Sequence, residues 1–136
     1  MTEFYAEAGY PLPAEAAART FEKLIREPRL GQVWLLSCDA EPAGFIVLTL
    51  SFSMEYGGLR GFVDDFFVRQ LYRRRGLGAA ALAEVQRTCA TLGVRALLVE
   101  VGPENDPAQR VYRRAGFADS GHTLLTLPLL APVHLS

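Results

Sequence analysis

The sequence has two cysteines and two histidines in 136 residues, and that scarcity excludes a good deal. Cys38 and Cys89 lie far apart in no CxxC pattern, and His122 and His134 both fall near the C-terminus. No metal-ligand spacing results, so a metal is not expected. Free thiols in a reducing compartment are the simplest reading of the cysteines. No stretch reaches the ~18 uninterrupted apolar residues of a membrane-spanning helix. The opening Met1-Thr2-Glu3 lacks the basic and apolar regions of a signal peptide. The expected compartment is therefore the cytoplasm, with no membrane partner. Charge of one sign is also missing: 14 Lys+Arg against 15 Asp+Glu give a formal net charge of −1. That argues against general nucleic-acid binding, which needs a basic surplus.

Apolar residues, by contrast, make up 50% of the chain, enough for the core of one domain spanning residues 1–136. Residues 14–27 read as a helix, with Ala17, Phe21, Leu24 and Ile25 on one face and Pro28 closing it. Gln32–Ser37 and Gly44–Phe52 are apolar runs around the turn-forming segment Asp39–Gly44, and Gly57-Gly58 marks the next turn before a third strand, Gly61–Val68. Leu77–Leu92 is helical, with Leu77, Ala81, Val85, Cys89 and Leu92 near helical spacing and Gly93 as the stop. Ala96–Val101 is almost wholly apolar, as for a strand covered on both faces. Asp106–Ala115 is a helix ended by Gly116, and Phe117–Ala118 and His122–Leu130 are the last strand candidates. The order predicts an α/β chain with a mixed sheet: an antiparallel meander, then a helical crossover that makes strands 61–68 and 96–101 parallel.

The chemical centre is Arg73-Arg74-Arg75-Gly76-Leu77-Gly78-Ala79, between a strand and a helix. Glycine allows a tight turn and close approach to a ligand. A helix start offers unpaired amide hydrogens and a dipole that favours anions. Arginines add charge, so the segment reads as a phosphate site. A plain packing turn beside solvated arginines is the bland alternative. Gly76-Leu77-Gly78-Ala79-Ala80-Ala81 also fits GxGxxA, with Glu100 at about the spacing of a ribose-binding acid. A dinucleotide-binding protein is thus a rival reading. Against it stand the intervening Arg69–Arg75, the preceding meander and the short chain.

Arg73-x-x-Gly76-x-Gly78, followed after one strand by Asn105-Asp-Pro-Ala-Gln-Arg-Val-Tyr112-Arg-Arg-Ala-Gly116-Phe117, resembles the two motifs of the GNAT superfamily of N-acetyltransferases. The likeness covers roughly residues 31–120. It implies a GNAT-like acyl-CoA N-acyltransferase fold and an enzyme that moves an acetyl group from acetyl-CoA, as co-substrate, to a primary amine. By this resemblance, Arg73, Arg74, Arg75, Gly76, Leu77, Gly78 and Ala79 hold the pyrophosphate. Phe66, Phe67 and Val68 pair with the pantetheine arm where strands 61–68 and 96–101 splay. Asn105 hydrogen-bonds the cofactor, and Tyr112 protonates the departing thiolate. A core aromatic and a helix N-cap are the structural alternatives for Tyr112 and Asn105. An acyl-CoA-binding sensor without catalysis is the alternative of a different class.

Asp64 and Asp65 interrupt the apolar run Gly61–Val68. In a regular strand they point to opposite faces, and each needs compensation if buried. A cationic amine, a role as general base, a structural salt bridge to an arginine or a backbone cap would each supply it. Asp-Asp-Phe-Phe-Val is similar to the segment of the diamine and polyamine acetyltransferase branch, with Asp64 in place of its Glu. Glu55 and Tyr56 are further candidates for the acceptor mouth. Family members usually begin with a strand. Here Met1–Glu7 looks like the end of the first helix, so the first strand is expected to be missing. Gln32–Ser37 would then be an open sheet edge, which invites pairing as a homodimer.

Overall fold

The structure, a computed structural model, describes residues 14–131. Helix α1 (Ala14–Arg26) leads through a 3-10 turn (Pro28–Leu30) into strands β1 (Gly31–Cys38), β2 (Glu41–Ser53) and β3 (Gly58–Val68). A second 3-10 turn (Gln70–Tyr72) precedes helix α2 (Leu77–Leu92), strand β4 (Ala96–Val99) and helix α3 (Asp106–Ala115). One sheet runs in the order β1-β2-β3-β4. The first three strands are antiparallel and β4 is parallel to β3, the mixed sheet expected from the sequence.

Local chemistry explains the boundaries. Asp39 and Ala40 both take positive φ, 52° and 66°, which suits a two-residue hairpin turn whose twist matches its strands. The turn is therefore shorter than the expected Asp39–Gly44, and pairing begins at once with Cys38 opposite Glu41. Both longer helices of the second half end on left-handed glycines, Gly93 at φ 76° and Gly116 at φ 109°, whose N–H groups return to carbonyls of the last turn.

Strand β2 is the centre of the core, with Phe45, Ile46 and Leu48 fully buried. On one face Phe21 of α1 packs edge-on against Phe45 at 5.6 Å, and Phe45 lies 6.0 Å from Phe67. Val47 completes that cluster. On the other face Ile46, Leu48 and Val63 meet Ala81, Leu82, Val85 and Cys89 of α2 and Tyr112 of α3. The layers are thus α1, the sheet, and α2 with α3.

Three expectations need correction. Ile25 does not share the buried face of α1 but is largely exposed, because its place on the helical wheel turns it beyond Phe21 and Leu24. The Ala96–Val101 run yields only the four-residue β4, whose residues are all half-buried rather than fully covered; as the terminal strand it has a neighbour on one edge only. Phe117–Ala118 and His122–Leu130 are not strands: Phe117 packs on the core, while residues 118–131 are exposed and without regular structure. A strand needs a pairing partner, and none of the described elements meets this segment. Met1–Glu7 lies outside the described residues. Among the described residues β1 is a sheet edge, and no helix is long and apolar enough to cross a membrane.

Candidate active site

The site begins with an irregularity in β3. Val47 pairs with Asp65 but Leu48 pairs with Val63, leaving Asp64 as an extra, bulged residue. One inserted residue resets the alternation of everything after it. Val63 and Phe66 consequently both pack with the α2–α3 face, although they are three positions apart. Asp65 stands opposite Val47, which belongs to the α1 face. Asp64 is exposed and Asp65 is 5% exposed. The two adjacent carboxylates thus have different surroundings.

Pairing between β3 and β4 stops at Val63–Val99, yet β3 continues for five more residues. Between Asp64 and Val68 that edge of β3 faces no strand. Arg69 N–H donates to Ala43 O at 2.7 Å, so by the period of two the backbone of residues 69, 67 and 65 is turned to β2. Phe66 and Val68 therefore present their backbone groups to the open side. Of Phe66, Phe67 and Val68, the first and last face the gap, where Phe66 N–H already donates to Asp65 Oδ1 at 3.0 Å and Val68 O accepts from Arg73 Nε at 2.8 Å. Phe67 is instead a core residue, 7% exposed, with its backbone turned to β2.

Helix α2 opens beside this gap. An added Cβ on Gly78 would meet Phe66 Cζ at 3.6 Å and Val111 Cγ1 at 3.5 Å, which puts the first turn of α2 next to both β3 and α3. Gly76 caps the helix at φ 78°, with no side-chain cap. Ala80 N–H reaches back to Gly76 O at 3.1 Å, while Leu77, Gly78 and Ala79 precede any helical acceptor. Arg74 also has positive φ, 65°; left-handed residues just before a helix turn successive amides toward one concavity suited to an anion. The arginines are not equivalent. Arg73 Nε donates to Val68 O at 2.8 Å and its guanidinium lies 5.8 Å from the Phe67 ring, fixing the loop to the strand. Arg75 sits over Tyr72 at 5.7 Å. This donor set of helix amides and guanidinium groups fits a pyrophosphate.

Tyr112 and Asp65 carry the unusual electrostatics. Asp65 Oδ1 accepts from Phe66 N–H at 3.0 Å, whereas Oδ2 is buried with no hydrogen-bond partner among the described residues. Burial pushes its pKa up to about 7, helped by the neighbouring Asp64 charge and opposed by the Phe66 hydrogen bond. Partial desolvation of its carboxyl by the surrounding strand also raises Asp64, exposed though the residue is. Tyr112, 9% exposed, lies 6.3 Å from the Phe66 ring and 5.6 Å from that of Phe117. Burial, then the Asp65 charge, pushes its phenol up to about 12. Of the structural alternatives read from the sequence, a salt bridge to Asp65 is absent among the described residues, while a backbone cap is present on one oxygen, from Phe66 N–H.

Asn105 is the N-cap of α3: its side-chain oxygen accepts from Ala108 N–H at 3.3 Å, leaving its amide nitrogen for another acceptor. Glu55 and Tyr56 are exposed in the β2–β3 turn, next to the Ser53–Gly58 pair. At ~3.3 Å per residue they stand roughly 20 Å along the strand from Asp65. The structure does not bring them to the gap. The bulge, the orientation of Phe66 and Val68, and the Val111 and Phe117 contacts were not read from sequence. Two carboxylates side by side in an apolar strand were the one available signal of an irregular strand.

A family model described as "Acetyltransferase (GNAT) family" matches residues 1–117. The chain is 29% identical over 98 residues to the "Uncharacterized N-acetyltransferase YycN" of Bacillus subtilis, covering 72% of this chain and 53% of that protein. It is 32% identical over 59 residues to the "Aminoglycoside N(6')-acetyltransferase type 1" of Salmonella typhimurium, covering 43% and 41% of the two chains. The chain thus spans about half the length of the curated relatives it matches. Among solved structures, an integron cassette protein from the mobile metagenome of Cole Harbour Salt Marsh is 56% identical with a TM-score of 0.86, covering 96% of this chain and 81% of that one.

Proposed function

Because the chain belongs to the GNAT family of acetyltransferases, we propose that it transfers the acetyl group of acetyl-CoA to a primary amine on a small, cationic acceptor. The observation that carries this reading is the buried Asp65 oxygen that has no partner among the described residues, on the strand that runs on past the end of its parallel neighbour. A carboxylate held near pKa 7 and left unpaired is suited to meet an ammonium and take its proton. The likeness to an aminoglycoside acetyltransferase supports a polycationic acceptor, as does the short Asp64–Val68 likeness to the polyamine branch.

Acetyl-CoA supplies the acetyl group as a thioester. The α2 amides and nearby guanidinium groups bind its phosphates, and Phe66 and Val68 align the arm along β3. Asp65 holds and deprotonates the amine from the α1 side, freeing its lone pair for the C–N bond. Tyr112, on the α3 side, donates its proton to the sulfur as the C–S bond breaks. The two groups are coupled. The Asp65 charge helps hold the Tyr112 phenol up, so proton uptake at Asp65 removes that restraint and makes Tyr112 a better acid at the moment it is needed.

Thiol release measured over monoamines, diamines and aminoglycosides tests the acceptor class. Asp65→Asn and Asp64→Asn are expected to raise KM for a diamine more than for a monoamine of similar length, because the second ammonium loses a charge partner. Glu55→Asn is expected to change neither. An unmoved diamine-to-monoamine ratio in both aspartate variants would remove the cationic acceptor from the reading.

A further inference from the structure

The face of the sheet that carries Asp65 continues past the cluster that α1 covers. Phe21 of α1 packs there with Phe45, Val47 and Phe67. Farther along, Leu48, Val63 and Leu97 pack toward α2 and α3. By alternation Thr49 and Ser51, Arg60 and Phe62, and Ala96 and Leu98 point the opposite way, to the Asp65 side. They form two rungs across the sheet, Thr49–Phe62–Leu98 and Ser51–Arg60–Ala96. Phe62 and Leu98 are half-buried and, among the described residues, pack in neither core cluster. The upper rung is thus an apolar shelf below the gap.

The lower rung is built of donors. The Arg60 guanidinium lies 5.4 Å from the Phe62 ring centroid, and its Nε donates to Ser51 Oγ at 3.4 Å. Ser51 accepts there and keeps its own hydrogen to give. Surface arginines elsewhere find acids, as Arg26 does in Glu22 and Arg113 in Asp119. Arg60 pairs with no carboxylate among the described residues. A half-buried guanidinium laid on a ring, with its two Nη groups unengaged, is suited to grip an anion. Arg60 and Asp65 are five positions apart, one of which is the bulged Asp64, so four strand steps or roughly 13 Å separate them. Because Arg60 leans over Phe62, toward Asp65, the two charged ends come within roughly 10 Å of each other.

We propose that the lower rung is a subsite for a carboxylate on the acceptor, which is then cationic at the end that Asp65 receives and anionic at the end that Arg60 receives. The inference rests on the reading of Asp65 as the partner of the amine, and adds the far end of the same molecule. Less a contact at each end, the span allows roughly 5–10 Å between amine and carboxylate, on the order of four to eight bonds of extended chain. The Nη groups of Arg60 take the carboxylate, the Ser51 hydroxyl adds a donor, and the carbon chain between the two charges lies on Phe62 and Leu98. A short diamine keeps both charges beside Asp64 and Asp65 and does not reach Arg60. An extended polyamine sets its second ammonium against the guanidinium and loses affinity.

Calorimetry with CoA in place of acetyl-CoA reads acceptor binding without turnover. The wild type is expected to bind ω-aminohexanoate ~10-fold or more tightly than hexanediamine, which matches it in length. Arg60→Gln is expected to remove that preference, Arg60→Glu to reverse it, and Ser51→Ala to reduce it. Equal wild-type affinities, or a preference that survives in both Arg60 variants, would overturn the subsite. Amine-dependent CoA release by the wild type without the preference would also overturn it, while leaving the acetyl transfer standing. The preference without any release would uphold the subsite and count against the acetyl transfer instead.

Discussion

Asp65 is where stability and chemistry pull apart. Its folded pKa of about 7 lies above the unstructured value of 3.8. A raised acid is at ease in the fold only while protonated, so its contribution is intact below about pH 4 and is lost as pH rises through about 7. Above that the ionised group costs on the order of a few kcal/mol. Asp65→Asn is therefore expected to raise the melting temperature at pH 8 and to lose that advantage as pH falls toward 4. A gain independent of pH would show that the carboxylate is not the strained group. Tyr112→Phe is expected to lower the single-turnover rate ~10²-fold or more with little change in CoA affinity. Equal single-turnover rates would leave Tyr112 a packing residue. Both residues were legible in the sequence as candidates. What could not be read was that Asp65 is buried with an oxygen unpaired while Asp64 is exposed, because that depends on which residue the partner strand skips.

At the scale of elements, periodicity placed α2 and α3 at their observed bounds because each is closed by a glycine that leaves the helix. It failed where pairing, not propensity, decides: Ala96–Val101 lost its last two residues, and His122–Leu130 stayed out of the sheet. The bulge in β3 left no local mark beyond the paired acids, yet it sets which face every later residue of the strand occupies. The α2 start gives a clean test. A Cβ on Gly78 makes only ordinary contacts, at 3.5 and 3.6 Å, and the family motif accepts alanine there. Gly78→Ala is expected to keep fold and CoA affinity, while Gly78→Val places a branched side chain in the anion's path and is expected to abolish affinity. Calorimetry on the two folded variants checks this. Unchanged affinity in Gly78→Val would place the phosphates elsewhere. Gly76 is different: its φ of 78° strains any side chain even though a Cβ would meet nothing within 4 Å.

Across the whole molecule, one gap opens where β3 runs on past β4, with α2 and α3 packed on one face of the sheet and α1 on the other, against β1 and β2. A repeated parallel array, which a dinucleotide site would require, is not what these strands form: one parallel pair follows an antiparallel meander. The central claim is that this gap performs acetyl transfer, with Asp65 as base. Its most direct test is the pH profile of amine-dependent CoA release, read as kcat/KM with the product confirmed as the acetylated amine. Release is expected to require amine, with a limb that rises near pH 7 in the wild type and disappears in Asp65→Asn. Tight CoA binding with no amine-dependent release at any pH would contradict it and favour an acyl-CoA sensor.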